Sequence, residues 1–288
     1  EGFYGLCAGV DRVNWETINE ANDTLKSYEY EINEKLGKEI WRVSKNILDR
    51  KGVRWLPVRL SAQYTSEVFR SLLNEHGLSV SMPRSIKILP EETNLLFRHE
   101  SEPLNFLSKE MLYRSTNVVA EIVGLQVAKL WGLKTPSIKS SGEIMTNWFN
   151  YVTNTKGSFF ANHSGLTVDT RVSAHDFTKF LTRLETIEIL PSILKGKKIY
   201  GSNSNRIENA GIDVRAKTGT MHFNRALAGY IQKSGIPKAA FSIFSADVEK
   251  KEDISEHEQA NPPGSKSWLK QAKNQENFII KRWAEFYV

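Results

Sequence analysis

The chain is almost without cysteine: Cys7 is the only one in 288 residues. A single thiol excludes an internal disulfide framework and any zinc site built on cysteines. Metal-binding spacing is lacking too. The six histidines (76, 99, 163, 175, 222 and 257) fall at no ligand interval, and His99-Glu100 is not followed by the second histidine of a zinc-peptidase helix. No apolar run approaches the ~18 residues that suggest a membrane span. A large excess of one sign of charge is lacking as well, since 39 basic residues face 33 acidic ones, the formal charge is only +6, and the lysines are scattered. Without a basic stripe, interleaved aromatics or a known motif, a nucleic-acid surface is disfavoured, while weak attraction to an anionic polymer stays open. No internal repeat, low-complexity segment or signal peptide is present, and the first residue is Glu1 rather than methionine. What remains is an ordinary globular composition, 40% hydrophobic and 25% charged, long enough for one large domain or two small ones.

Periodicity supplies the elements. Residues 16–48 are polar, with apolar positions at Ile18, Leu25, Ile32, Leu36, Ile40 and Ile47, which predicts loosely amphipathic helices. Residues 53–60 predict a strand. Residues 63–75 predict a helix with Tyr64, Val68 and Leu72 beside Phe69 and Leu73, stopped at Gly77. Extended chain broken by Pro83 and Pro90 follows. A helix is expected after Ser101-Glu-Pro103, ending near Arg114 and turning Leu104, Leu107 and Met111 inward. Further helices are expected over 118–131, stopped by Gly132, and over 143–154, with Ile144, Trp148, Tyr151 and Val152 along one side. Ser173-Ala-His-Asp176 is a capping box opening a helix through Phe177, Phe180, Leu181 and Leu184. A last helix over 265–286 is expected to bury Trp268, Ala272, Ile279 and Trp283, after a charged surface loop over 249–263.

The chemistry gathers late in the chain. Asp213-Val-Arg-Ala-Lys-Thr-Gly-Thr220 reads as an edge strand, Met221-His-Phe-Asn224 as a turn, and Arg225-Ala-Leu-Ala-Gly-Tyr-Ile231 as the hairpin partner. A third strand over 239–246 follows a turn built on Ser234-Gly-Ile-Pro237. Lysine, hydroxyl and glycine on an exposed strand make a carboxylate clamp. The ammonium attracts the anion, the hydroxyl donates to it, and glycine lets a ligand backbone approach. The triplet alone is not diagnostic, because Lys233-Ser234-Gly235 has the same form in a turn. Ser115-Thr-Asn117, between two helices, equally suits a plain helix N-cap.

The longer strings change the reading. Lys217-Thr-Gly-Thr220 followed by Ala226-Leu-Ala-Gly-Tyr230 resembles the penicillin-binding serine acyl-transferases. Met111-Leu-Tyr-Arg-Ser-Thr-Asn-Val-Val-Ala-Glu121 is similar to the second signature of one branch of them. Asn162-His-Ser-Gly-Leu166 with Arg171-Val-Ser173, Leu190-Pro191 and the stretch from Trp268 to Trp283 match that branch in order. The chain from about Val53 onward thus resembles the class C low-molecular-mass penicillin-binding proteins, which are D-Ala-D-Ala carboxypeptidases/endopeptidases. The resemblance implies an α+β fold, an α/β/α sandwich of the penicillin-binding/β-lactamase transpeptidase type, whose antiparallel sheet is flanked by helices. It implies serine attack on the D-Ala-D-Ala bond of peptidoglycan stem peptides through an acyl-enzyme, with β-lactams as inhibitors. No cofactor and no metal are implied, and the expected location is the periplasm or cell envelope. Carried over, Ser115 passes a proton towards the leaving nitrogen, and Asn117 holds the substrate amide and the active-site lysine. Lys217 supplies positive charge, the Thr218 and Thr220 hydroxyls bind the substrate carboxylate, and Gly219 keeps the strand accessible. The Thr220 N–H is one oxyanion-hole donor.

One part of the pattern fails. The family's nucleophile signature, Ser-x-x-Lys, must precede Ser115, and residues 1–114 contain none. Ser192-Ile-Leu-Lys195 and Ser267-Trp-Leu-Lys270 have the form but lie out of order and read as accidental. Only the last three strands and last helix of the expected five-stranded fold are legible, so the first strands and the nucleophile helix are expected to be lacking. The expected organisation is a remnant of an inserted domain over 1–52 and the C-terminal part of a penicillin-binding domain over 53–288. The simplest expectation is an N-terminally truncated enzyme whose signal peptide is lost with its nucleophile. A catalytically dead peptidoglycan-binding module of the same fold is the alternative, and a β-lactamase proper fits the 111–121 and 162–166 strings less well.

Overall fold

The computed structural model describes residues 13–18, 28–33, 38–44, 58–81, 94–198, 211–252, 254 and 262–287. They fall into two compact units, Glu1–Arg98 and His99–Val288.

The first unit corrects the helices expected over 16–48. It contains β1 (Val13–Ile18), β2 (Tyr28–Asn33) and β3 (Lys38–Ser44). β3 lies between the other two, parallel to β1 and antiparallel to β2. The apolar spacing of seven and four residues suggested a helix, but a shorter period is also present. Tyr28-Glu-Tyr-Glu-Ile-Asn33 alternates apolar and polar residues at every step, the signature of a strand with two unlike faces. Aromatic and β-branched residues at Trp15, Thr17, Trp41 and Val43 add strand preference. Helix α1 (Ser61–Glu75) forms as expected and ends in Gly77 at φ +78°, but Phe69 and Leu72 are exposed and the buried position is Glu67. Residues 58–60 form no strand, and 53–57 lie outside the described residues, as does the proline-broken stretch at Pro83 and Pro90.

The second unit is built on a three-stranded antiparallel sheet, β4 (Ile212–Met221), β5 (Asn224–Lys233) and β6 (Ile236–Ala246), in that spatial order. Two tight turns close it. Phe223 (φ 53°) serves the first, and Ser234 (φ 50°) with Gly235 (φ +79°) the second, the left-handed conformations that suit the twist of two-residue hairpins. β5 is buried on both faces. On one side Ile212, Val214, Leu227, Ile231, Phe241 and Ile243 pack against Ile280 and Ala284. These last two belong to the C-terminal helix, labelled α8 below. On the other side Ala228 and Tyr230 meet Leu181 and Leu194, with Leu112, Phe177 and Phe180 around them. Helices therefore cover both faces of the sheet.

The helices are α2 (Leu104–Arg114), α3 (Asn117–Leu130), α4 (Ile138–Thr153), α5 (Ala174–Leu181), α6 (Leu184–Ile193), α7 (Val248–Glu252) and α8 (Ser265–Tyr287). Several inward faces differ from expectation. Leu104 is exposed, while Leu107, Met111 and Leu112 are the half-buried apolar positions of α2, Leu112 against the sheet, because a helix that buries one narrow stripe leaves its first turn in water. α4 starts five residues early, where Ser137 and Ser140 cap each other's backbone N–H at 3.1 and 2.9 Å. α4 buries Ser141, Gly142, Phe149 and Thr153 and leaves Tyr151 85% exposed. Ser173 caps α5 by accepting from the Asp176 N–H at 3.0 Å, but Leu184 opens a separate helix and is exposed. The charged stretch from 249 begins with the short helix α7.

Candidate active site

β4 is an edge strand over most of its length, so its pleat sets the site. Val214 and Ala216 point to the α8 side, and Thr218 and Thr220 share their parity. Lys217 and Gly219 belong to the opposite face. Beyond Ala216 the strand emerges from the core, and Thr218, Gly219 and Thr220 are all exposed.

Facing Lys217 is the corner between α2 and α3. Ser115 ends α2 in a left-handed conformation (φ 57°, ψ 49°), and the N–H groups of Ser115 and Thr116 both return to the Met111 carbonyl. Such a reversal ordinarily uses glycine, and serine there stores about 1–2 kcal/mol of backbone strain. What the strained corner delivers is an exposed hydroxyl at the sheet edge. The Lys217 ammonium donates to Ser115 Oγ at 2.5 Å and to the Thr218 carbonyl at 2.5 Å. Because an ammonium can only donate, Ser115 accepts from it and keeps its own proton free to give elsewhere. Burial and, after it, the positive charge of Arg225 hold Lys217 below the usual lysine range.

Asn117 opens α3 at the same corner and is exposed. The structure brings Ser115 and Lys217 into contact from motifs 102 residues apart, with Asn117 two residues from Ser115 and Thr218–Thr220 next along the strand. The two out-of-order Ser-x-x-Lys copies have other employment. Ser192 Oγ donates to the Ile189 carbonyl and Ser267 Oγ to the Gly264 carbonyl, while Lys195 lies 4.0 Å over the Tyr113 ring.

Asn162-His-Ser-Gly-Leu166 is anchored onto α3. The Glu121 carboxylate accepts from the N–H groups of His163 and Ser164 at 3.2 and 3.0 Å. The His163 ring lies directly on Gly124, where a methyl group would overlap it, and its Nε2 is 2.8 Å from Ser141 Oγ. Beside this ring, between α3 and α4, is an apolar cavity of about 390 Å³. Burial lowers the His163 pKa despite the nearby Glu121 charge. Burial alone would raise Glu121, but hydrogen bonds from Ser164 and His163 outweigh it and lower that carboxyl.

Sequence reasoning missed one component. Behind Thr220 lies Arg225, its cross-strand partner, 5% exposed, donating to Thr220 Oγ1 at 2.6 Å. The same guanidinium makes a two-pronged ion pair with Glu276 of α8, at 2.8 and 3.1 Å, and Glu276 is 1% exposed. The signal was available. Glu276 interrupts the Ala272, Ile280, Ala284 stripe of α8 at four-residue spacing, and a carboxylate in such a stripe needs a buried cation. The hairpin turn already set Arg225 opposite Thr220.

Among the described residues, no group of three metal-ligating side chains gathers and no helix is long and apolar enough to cross a membrane. The comparisons with known proteins agree with the geometry. Carboxypeptidase DacB of Mycolicibacterium smegmatis is 25% identical over 178 residues, covering 57% of this chain and 38% of its own length. Two crystal structures of penicillin binding protein 4 (dacB) from Haemophilus influenzae share the fold. One, complexed with a novel β-lactam, has a TM-score of 0.58 at 18% identity and covers 94% of this chain and 64% of its own. The other has a TM-score of 0.60 at 19% identity, with 82% and 54% covered. The chain thus spans between about two fifths and two thirds of these relatives' lengths. The D-Ala-D-Ala carboxypeptidase 3 (S13) family matches residues 15–261, most of the chain, and this protein belongs to that family.

Proposed function

We propose that this chain carries the substrate-holding half of a serine D-Ala-D-Ala carboxypeptidase/endopeptidase that acts on peptidoglycan stem peptides in the periplasm or cell envelope. The single observation that carries the reading is the Lys217–Ser115 contact, which joins the two signature segments at one strand edge. In this reading the fold is the sandwich of the penicillin-binding/β-lactamase type, of which the sheet and its two helical layers are the described part.

Each residue then has a task. The carboxylate beyond the scissile bond is held by the Thr218 and Thr220 hydroxyls, with Lys217 nearby as positive charge. Gly219 lets the ligand backbone lie along β4, and the Thr220 N–H faces the oxyanion. Ser115, already an acceptor from Lys217, hands its proton to the leaving nitrogen and is reprotonated by the ammonium. The lowered proton affinity of Lys217 suits that transfer. Asn117 binds the substrate amide. The acylating serine and its lysine base come from a Ser-x-x-Lys segment that residues 1–114 do not contain.

Labelling with a fluorescent penicillin tests this, on the 288-residue chain and on a version extended upstream in frame. Labelling of the extended form alone supports the reading. Labelling of the 288 residues alone would transfer the nucleophile to Ser192 or Ser267, and the acylated peptide would say which. If neither form labels, the chain is a binding module that keeps the clamp without the chemistry.

A further inference from the structure

The buried ion pair behind β4 has no task in the chemistry above, yet it touches the clamp directly. A guanidinium carries only donors. When Arg225 donates to Thr220 Oγ1, that hydroxyl must accept, and its own proton is turned away from Arg225. Thr220 is exposed at the free edge of the strand, on its α8 face, so its proton is left for a partner arriving from solvent, such as a carboxylate lying along that edge. Without such a fixed donor behind it, a threonine hydroxyl rotates freely and has to be ordered by the anion itself, at a cost in rotational freedom. Glu276 in turn holds the guanidinium by both oxygens of its carboxylate, a planar arrangement that fixes the orientation of the third nitrogen.

We propose that the Arg225–Glu276 pair is a positioning device that makes Thr220 an obligate hydrogen-bond donor and so selects ligands bearing a free carboxylate over their uncharged counterparts. It rests on the carboxylate-clamp reading of Lys217, Thr218 and Thr220. Arg225 does not touch the ligand itself, being 5% exposed. Glu276 holds the guanidinium by both carboxylate oxygens, so what the pair adds to the clamp is direction.

The test compares binding of N-acetyl-D-Ala-D-Ala with that of its C-terminal amide, followed by NMR shift titration of the 288-residue chain. Arg225→Met leaves Glu276 buried without its partner and risks unfolding the protein, so the deciding variant is Arg225→Met/Glu276→Met. An apolar pair of similar volume commonly restores what a lost ion pair removes, and a thermal melt checks that it does. Wild-type protein is expected to prefer the acid. In the double variant that preference should fall by about tenfold with amide binding unchanged, the size of one charge-assisted hydrogen bond. An unchanged acid-to-amide ratio in a folded double variant overturns the positioning role and leaves the pair purely structural. Equal binding of acid and amide by the wild type overturns the clamp reading, and the inference with it.

Discussion

Gly229 stands opposite Ala216, one residue from Lys217, and the backbone of β4 passes close over it. A methyl group at Gly229 would lie 2.0 Å from the Arg215 carbonyl oxygen, 2.7 Å from Ala216 Cα and 2.9 Å from the Arg215 carbonyl carbon. All three are backbone atoms, so no side chain can swing aside. Ordinary contact requires ~3.5 Å, and the strands must part by about 1 Å or more. At that separation the adjoining ladder hydrogen bonds leave their working range. Each buried backbone group left unpaired costs about 1–3 kcal/mol, and the crowding itself about 1–3 kcal/mol more. With two such groups, Gly229→Ala should destabilise the unit by about 3–9 kcal/mol, much of the ~5–15 kcal/mol that holds a domain together. At ~2–4 °C per kcal/mol for a body of this size, the melting temperature should fall by at least ~6 °C. Gly219→Ala is the matched control. Its methyl group would meet only Ala226 Cβ at 3.5 Å, an ordinary contact, so its melt should stay within about 2 °C of wild type. Circular dichroism melts of both variants are the assay. If Gly229→Ala melts with Gly219→Ala, the close approach of β4 to β5 described above is wrong.

Three further outcomes follow from polar groups buried or half-buried in the second unit. The Tyr230 hydroxyl donates to the Leu181 carbonyl at 2.8 Å in the core, so Tyr230→Phe should cost about 1–3 kcal/mol in urea unfolding; no change would mean the carbonyl is satisfied otherwise. Burial pushes the Tyr230 phenol up to about 12 from 10.0, so its contribution to stability is intact below pH 10 and is lost as pH climbs through about 12. An ultraviolet titration should show one tyrosine ionising last, and its disappearance in Tyr230→Phe identifies it. His163 and Glu121 are both lowered, from 6.5 and 4.5, so what they contribute is present above those values and is lost as pH falls through the lowered ones. Amide exchange of His163 and Ser164, whose N–H groups Glu121 accepts, should lose protection in acid. Protection of these two amides that persists in acid until the whole unit unfolds would refute this.

Much of the second unit was legible in the residues because its signals are local. The hairpin turn at Met221-His-Phe-Asn224 and the alternation of Val214 and Ala216 specify β4, β5 and their register within a short stretch of chain. Gly132, by its backbone freedom, and Ser173, by its capping hydroxyl, mark helix ends within a few residues of chain. The first unit was misread for a physical reason as well. Ile18, Leu25, Ile32 and Ile40 fit a helical period, Tyr28, Tyr30 and Ile32 fit a period of two, and sheet pairing settled the contest. Nothing local says whether Tyr151 or Phe149 turns inward on α4, because that depends on the rings of Phe160, Phe177 and Phe180 gathered around Phe149.

The sequence by itself determined the chemical vocabulary of the site: an ammonium, three hydroxyls, an amide and a glycine in two short strings with a recognisable family resemblance. Residue types and short-range turns are properties of the chain, and they need no partner to be read. Only the tertiary structure decided which of those groups act together. It set Ser115, through a left-handed corner, against Lys217. It also set Arg225, on the α8 face of β5, against a carboxylate 51 residues away on α8. Both contacts join segments that no local preference links, and both depend on the sheet: β4 carries Lys217 to the corner between α2 and α3, and β5 carries Arg225 to α8.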